Sequence, residues 1–559
     1  MPRSAPTRDL ATADTLSPGG PYRTLKQAAL LLLCVTWVLL GVVGHDPWKT
    51  DDAVIFGVAW EMLKSGAVVA PTLAGEPYLV QPPLVSALAA ACARAFGGVL
   101  PLHDAARLAV ALLLGATLAA LTAAGLELNG RRTRWLPALL FIGCVGLWDR
   151  AHQLSSELGL MAGVAGATWG LALAQRRPLA GGVAVGVAAG FAFLADGLLG
   201  PLWIGATIAA LPVFVPRYRT GAHARMAAMA LSAFAATAAP WPLALLLTAP
   251  TQLAAWWALQ VDPAFWTGLG GDPLFLAKNL PWFAWPVLPL ALWTLWMRGR
   301  GFNGGLRVPA IEIPAALALV MIAVLALHPE PRTIVLMPLL VPLTLIAALE
   351  IDTLKRGFSA ALDWFGILTF GLLAGLVWWL WVEADRNGLS PRIARLFRDT
   401  EAGYQPEFGW IAFVLACFLT VLWLALVRPA HRSNRRAVLN WAVGMTLVWG
   451  LYMTIWLPYI DSRRSYRPVA EALVARLPAT GCVASRNLGE PQRALLYYFA
   501  GLTTIREERQ PDHGCDTLLV QYGRFGADAA APAGWIAVHE GRRRGDDTER
   551  FVLYRRMAP

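Results

Sequence analysis

Lys49-Thr50-Asp51-Asp52-Ala53-Val54-Ile55-Phe56 follows the first strongly apolar run of the chain, residues 27–44. Two adjacent carboxylates beside an apolar span, next to His45 and Trp48, are costly to place unless they are paired or put to use. Downstream the sequence is rich in small residues and aromatics as far as Tyr78-Leu79-Val80-Gln81-Pro82-Pro83-Leu84. The composition around this stretch settles the kind of chain. Of 559 residues, 57% are hydrophobic and 15% charged, with 25 Trp. That is far too apolar for a soluble domain of this length and describes a polytopic membrane protein.

Working outward, apolar runs that could span a bilayer fall at about 26–44, 104–128, 135–148, 157–174, 179–194, 198–215, 226–247, 276–297, 309–327, 333–349, 361–382, 408–427 and 437–457. These make about thirteen spans, each near the roughly 20 residues that a bilayer requires. The division around Asp196-Gly197 is the least marked. The formal charge of +11 would suggest nucleic acid in a soluble protein. Here the basic residues sit in short links: Arg131, Arg132 and Arg134; Arg176 and Arg177; Arg217, Arg219 and Arg225; Arg298, Arg300 and Arg307; Lys355 and Arg356; Arg428, Arg432, Arg435 and Arg436. The positive-inside rule explains them as cytoplasmic. It places Asp51, Asp52 and everything after Tyr459 on the outer face. Residues 1–25, polar and rich in Pro, Ser and Thr, are expected to be a disordered cytoplasmic tail. The run at 27–44 lacks a cleavage signature and is read as a retained span.

The outer loop 45–103 is too long for a turn. Residues 54–64 are expected to form an amphipathic helix lying at the membrane interface. Pro82 and Pro83 suit the start of a second helix, 84–96. Tryptophans in the outer segment 248–275, among them Trp256, Trp257 and Trp266, are expected at headgroup level. After residue 458 the composition turns polar. Strand-like runs at 481–484, 517–521, 535–539 and 550–554, with helical ones at 468–476 and 491–499, predict a small α/β domain over 459–559 that is large enough to fold independently. Cys34, Cys92, Cys144 and Cys417 read as packing residues. Cys482 and Cys515 could form a disulfide if this domain lies outside the cytoplasm.

The acidic pair after the first span, the helix ending Glu61-Met62-Leu63-Lys64-Ser65-Gly66, and then Pro71, Gly75, Pro77-Tyr78 and Pro82-Pro83-Leu84 together resemble the first periplasmic loop of a bacterial family. This is the GT-C membrane glycosyltransferases, related to protein mannosyltransferases and lipid A aminoarabinose transferases. The resemblance implies an all-α polytopic membrane protein of GT-C fold with a small C-terminal periplasmic α/β domain, in the bacterial inner membrane. It implies transfer of a sugar from an undecaprenyl-phosphate-linked donor to a periplasmic lipid (lipid A-like) or glycan acceptor. A monomer is expected, with no cofactor beyond the lipid-linked donor and the requirement for a divalent metal left open.

Asp51 matches the family's catalytic acid. A carboxylate there can stabilise an oxocarbenium-like state or take the acceptor's proton. A helix cap is the alternative role for an Asp at this place. Asp52 is a second, weaker candidate. Glu157, in His152-Gln153-Leu154-Ser155-Ser156-Glu157-Leu158, stands where the family often has Asp and is read as an assisting acid; His152 is a possible companion. Relatives carry Glu-Lys before Pro-Pro-Leu, whereas this chain has Val80-Gln81. A cation that could hold the carrier phosphate is therefore missing, which puts aminoarabinose specificity in question. Tyr78 and Gln81 remain as hydrogen-bonding candidates, and Lys49, Lys278 and Arg332 as phosphate ligands. Arg332 matches a basic family position before Leu336-Met337-Pro338-Leu339, though Val335 stands where a Tyr is frequent. Asp196 occupies a position where relatives often have Lys. No Walker or dinucleotide loop is present, which argues against a nucleotide-sugar donor. Two other readings compete: a lipid-linked sugar transporter or flippase, and a protein O-mannosyltransferase-like enzyme; a third is a member that binds without catalysis. The transporter reading is weakened by the lack of two-half internal repetition.

Overall fold

The computed structural model describes residues 21–557 apart from 263–273, 328–331, 389, 392–406, 428–432, 479–480, 513, 524–530, 545 and 547. The expected tail falls mostly outside the described residues, and so do Trp266 and much of the segment from 389 to 406.

The chain is chiefly helical. Helix α1 (Pro21–Leu39) leads through a short turn into α2 (Asp51–Ser65), followed by a two-stranded hairpin, β1 (Thr72–Leu73) and β2 (Glu76–Pro77). Helices α3 (Leu84–Phe96), α4 (Leu102–Asn129), α5 (Leu136–Ile142), α6 (Ser156–Leu173), α7 (Pro178–Asp196) and α8 (Leu199–Phe214) come next. Six described helices are long and apolar enough to cross a bilayer, and two bent pairs, Phe275–Phe283 with Val287–Gly299 and Asn434–Tyr452 with Leu457–Arg464, bring this to eight. Several of the other apolar runs form shorter or broken helices among the described residues. The run at 26–44 is helical only to Leu39, 135–148 becomes α5 followed by a 3-10 turn, 198–215 is the 16-residue α8, and 333–349 opens with the 3-10 turn Thr333–Leu336. Glycine stands at two of these helix ends, Gly41 with φ of +80° in the turn after α1 and Gly143 capping α5.

Helices α6 and α7 pack through small residues. A side chain at Gly163 would meet Ala192 Cβ at 2.7 Å, so the two backbones approach closely. The division at Asp196-Gly197 is real: α7 ends at Asp196, and Gly197 has φ of +87°, a conformation open to glycine at low cost. The helix expected over 54–64 begins earlier, at Asp51, and does not lie on the surface. Its residues from Asp52 to Ala59 are buried, because the C-terminal region covers it. Ala53 joins Tyr466, Val469 and Leu495 in one apolar cluster, and Gly57 lets the helix Glu490–Ala500 approach so closely that a Cβ there would sit 2.6 Å from Ala494 Cβ. Trp256, expected at the headgroups, is instead buried against Phe193 and Trp241, while Trp257 is exposed.

The C-terminal region holds the expected strands. Strands β3 (Val483–Arg486), β4 (Ile505–Arg506), β5 (Thr517–Gly523), β6 (Trp535–Gly541) and β7 (Glu549–Arg556) form one sheet in the order β4-β3-β5-β7-β6. The first three are parallel and the last two antiparallel. Cys482 and Cys515 are joined by a disulfide with Cα atoms 5.2 Å apart, which staples the entrance of β3 to that of β5. Replacing both with Ser is expected to destabilise this region by roughly 2–4 kcal/mol. Limited proteolysis checks it, with faster cleavage after residue 459 than in the unaltered protein.

Candidate active site

Helix ends make the site. Asp51 lies in the first turn of α2 and Glu157 in the first turn of α6. Partial positive charge at a helix N-terminus favours a carboxylate in both places. Asp196 is the last residue of α7, where the same dipole opposes it. Arg332 immediately precedes the turn Thr333–Leu336.

The arginine draws these elements together. Arg332 Nη1 donates to Asp51 Oδ1 at 2.8 Å and Nη2 donates to Glu157 Oε1 at 2.6 Å. Glu157 is only 2% exposed, whereas the Arg332 side chain is 52% exposed, so the guanidinium is the open side of an otherwise closed pair. Ser156 is the hinge of a second chain of contacts: Tyr78 OH donates to Gln81 Oε1 at 3.1 Å, Gln81 Nε2 donates to Ser156 Oγ at 2.7 Å, and Ser156 Oγ donates to Asp196 Oδ1 at 2.7 Å. That last bond offsets the unfavourable dipole at Asp196. Two carboxylates thus hold one guanidinium, and a third, Asp196, is tied in through Ser156. Among the described residues no group of three or more His, Cys, Asp or Glu side chains is placed to hold a metal ion.

Of the candidates from the sequence, the structure brings Asp51, Glu157, Arg332, Tyr78 and Gln81 into one place together with Asp196. It places the others elsewhere. Asp52, one position from Asp51, turns inward and is buried. Its Oδ2 accepts the Trp48 N–H at 3.0 Å and its Oδ1 the Leu154 N–H at 3.3 Å, and Arg107 Nε lies 3.5 Å from Oδ2. Burial pushes the Asp52 carboxyl up from its usual range against the pull of Arg107 and these two N–H groups. Lys49 Nζ reaches away to Glu549 Oε1 at 2.9 Å. His152 is buried, bonded through Nε2 to the Trp37 carbonyl at 2.8 Å and stacked on Trp449. Lys278 is exposed on the helix Phe275–Phe283.

Two residues went unremarked in the sequence. Ser156 joins the two halves of the network, and Arg107 supports the acidic stretch from beneath. Arg107 donates through Nη1 to Asp104 Oδ1 at 2.8 Å and to the Val42 carbonyl at 3.2 Å, and through Nη2 to the His45 carbonyl. A visible signal existed for Arg107: an Asp-Arg pair three residues apart at the start of an otherwise apolar span.

Fold and site together define a chiefly helical chain with several helices apolar enough to cross a bilayer, carboxylates at helix ends and an α/β domain packed behind them. A particular solved protein has this architecture. The crystal structure of ArnT from Cupriavidus metallidurans bound to undecaprenyl phosphate superposes with a TM-score of 0.70 at 16% identity, covering 95% of this chain and 98% of that one. The apo state of the same protein gives 0.68 at 16% identity, over 95% and 97%. In sequence, the chain is 27% identical over 314 residues to undecaprenyl phosphate-alpha-4-amino-4-deoxy-L-arabinose arabinosyl transferase 2 of Pseudomonas fluorescens. The match takes in 52% of this chain and 52% of that relative, so it spans about half the relative's length. No family model matches the chain.

Proposed function

We propose that this protein is a membrane glycosyltransferase that moves a sugar from an undecaprenyl-phosphate-type donor to a lipid or glycan acceptor at the outer face of the bacterial inner membrane. The observation that carries this reading is Arg332 bridging Asp51 and Glu157, in a fold whose solved counterpart is described with undecaprenyl phosphate bound. In the proposed reaction the carrier phosphate meets the exposed guanidinium, the group suited to planar, bidentate recognition of phosphate. Its arrival draws Arg332 from the carboxylates and leaves Asp51 free to take the acceptor's proton or to face the developing positive charge at the sugar carbon. Glu157, nearly enclosed, assists from behind, and Asp196 with Gln81 and Tyr78 offers hydrogen-bonding groups to the sugar.

The outer placement of the site and of residues 459–559 belongs to the same proposal. The Cys482–Cys515 disulfide supports it, since such bonds persist in oxidising compartments such as the periplasm. The test is transfer by the purified protein from synthetic undecaprenyl-phosphate sugars, followed by release of free carrier phosphate, with mass spectrometry of lipid A and glycans from cells with and without the gene to identify the acceptor. Arg332→Lys is expected to lower kcat/KM about 100-fold, because an ammonium lacks the planar fork that bridges the two carboxylates at rest and then receives the phosphate through paired hydrogen bonds. Steady-state rates against donor concentration check this.

A further inference from the structure

The segment that ends in Asp51 is gripped from the far end of the chain. The Asp46 N–H donates to Asp461 Oδ1 at 3.0 Å, and the Trp48 indole N–H donates to the same oxygen at 2.9 Å. The Asp46 carboxylate accepts from Ser465 Oγ at 2.6 Å and from Arg467 Nε at 3.0 Å. Lys49 Nζ, two residues before Asp51, donates to Glu549 Oε1 at 2.9 Å. Glu549 stands at the start of β7 and is 3% exposed. Its Oε1 also accepts from Tyr466 OH at 2.8 Å and Arg543 Nη2 at 3.1 Å, and its Oε2 from Gln492 Nε2 at 2.9 Å and Gln521 Nε2 at 3.3 Å. Those four donors fix the carboxylate within its own domain; Lys49 is the one that comes from the first loop.

We infer that Glu549 is a positioning residue for Asp51, acting through Lys49, so that the C-terminal domain belongs to the transfer machinery instead of being an appendage. The inference rests on the proposed glycosyl transfer for its kinetic consequence, while its structural consequence stands without it. A lysine side chain held at its tip by a buried, five-fold hydrogen-bonded carboxylate cannot let the backbone at Lys49-Thr50 drift, and Asp51 opens α2 directly after it. Reacting groups misplaced by about 1 Å lose rate steeply. Burial opposes the charge on Glu549, yet the donations from Gln492, Lys49 and Tyr466 hold its carboxyl below the usual range, so it stays an anion opposite Lys49.

The experiment uses the full chain in detergent or nanodiscs and the variants Glu549→Gln, Lys49→Met and Lys49→Arg. Glu549→Gln and Lys49→Met are each expected to lower kcat about tenfold with KM for the donor unchanged, the double variant to fall no further, and Lys49→Arg to restore kcat. Hydrogen exchange should quicken over residues 46–56 and stay as it was over Thr517–Gly523. If exchange over Thr517–Gly523 rises in Glu549→Gln, the domain itself has loosened, and Lys49→Met, which leaves its interior intact, decides. An unaltered kcat in Lys49→Met, in a preparation whose parent transfers sugar, overturns the inference. If the parent transfers nothing, the functional reading is what has failed; unchanged exchange over 46–56 then overturns the positioning role, and faster exchange upholds it.

Discussion

Asp51→Asn is expected to reduce sugar transfer by roughly 10²- to 10⁴-fold, the range that a positioned acid–base group contributes, while leaving membrane insertion and donor binding in place. The substitution keeps the shape and one oxygen that can still accept from Arg332, so the bridge seen at 2.8 Å need not open. What disappears is the negative charge and the basic lone pair. Initial rates of carrier-phosphate release, measured beside a filter-binding assay for the labelled donor, separate the two effects. A variant that binds donor and transfers at the parental rate would remove Asp51 from the chemistry and leave Glu157 as the acid to examine. A transporter would move the lipid-linked sugar in both proteins and release carrier phosphate in neither.

Much of this arrangement could be read from residue order. The acidic pair after the first span, the proline-rich stretch beyond it and the return to polar composition after residue 458 each correspond to a structural boundary, and four of the five strands of the C-terminal sheet fall at the strand-like runs, β4 alone having no counterpart among them. What residue order does not convey is direction. Successive residues on a helix point roughly 100° apart, so Asp51 faces Arg332 while Asp52 faces Arg107 and the interior, although the two are neighbours in sequence. Lys49 could have turned either to the site or away from it. Its partner Glu549 lies 500 residues further on, a pairing that only the docking of the C-terminal domain creates. Ser156 is too ordinary a residue to notice in a chain; its role comes from Gln81 and Asp196 arriving on either side of it. Hydropathy registers apolar stretches and is blind to the bends inside them, such as the 98° break between Phe275–Phe283 and Val287–Gly299.

Arg107→Met is expected to destabilise the protein by roughly 3–5 kcal/mol, the cost of removing one partner from a buried ion pair. The arginine is 1% exposed and neutralises two carboxylates, Asp104 and Asp52, that are themselves almost fully enclosed. Methionine of similar length fills the space and leaves both acids facing each other without a cation, and the carbonyls of Val42 and His45 without their donor. Asp104 would retain the Gly44 N–H and Asp52 its two backbone N–H groups, which soften the loss without replacing a full charge. The damage should concentrate where these partners sit, in the turn from Gly44 to Trp48 that delivers Asp51. Thermal unfolding in detergent gives the global effect, and hydrogen exchange over 42–52 gives its location. An Arg107→Lys variant supplies the control, since an ammonium can neutralise Asp104 but cannot also reach Asp52 and both carbonyls, so its loss should be intermediate. Parental stability in Arg107→Met would mean that the two acids shed their charge on burial. Asp52, whose carboxyl burial already pushes upward, would then be protonated in the folded protein, and the support beneath the site would be hydrogen bonding alone.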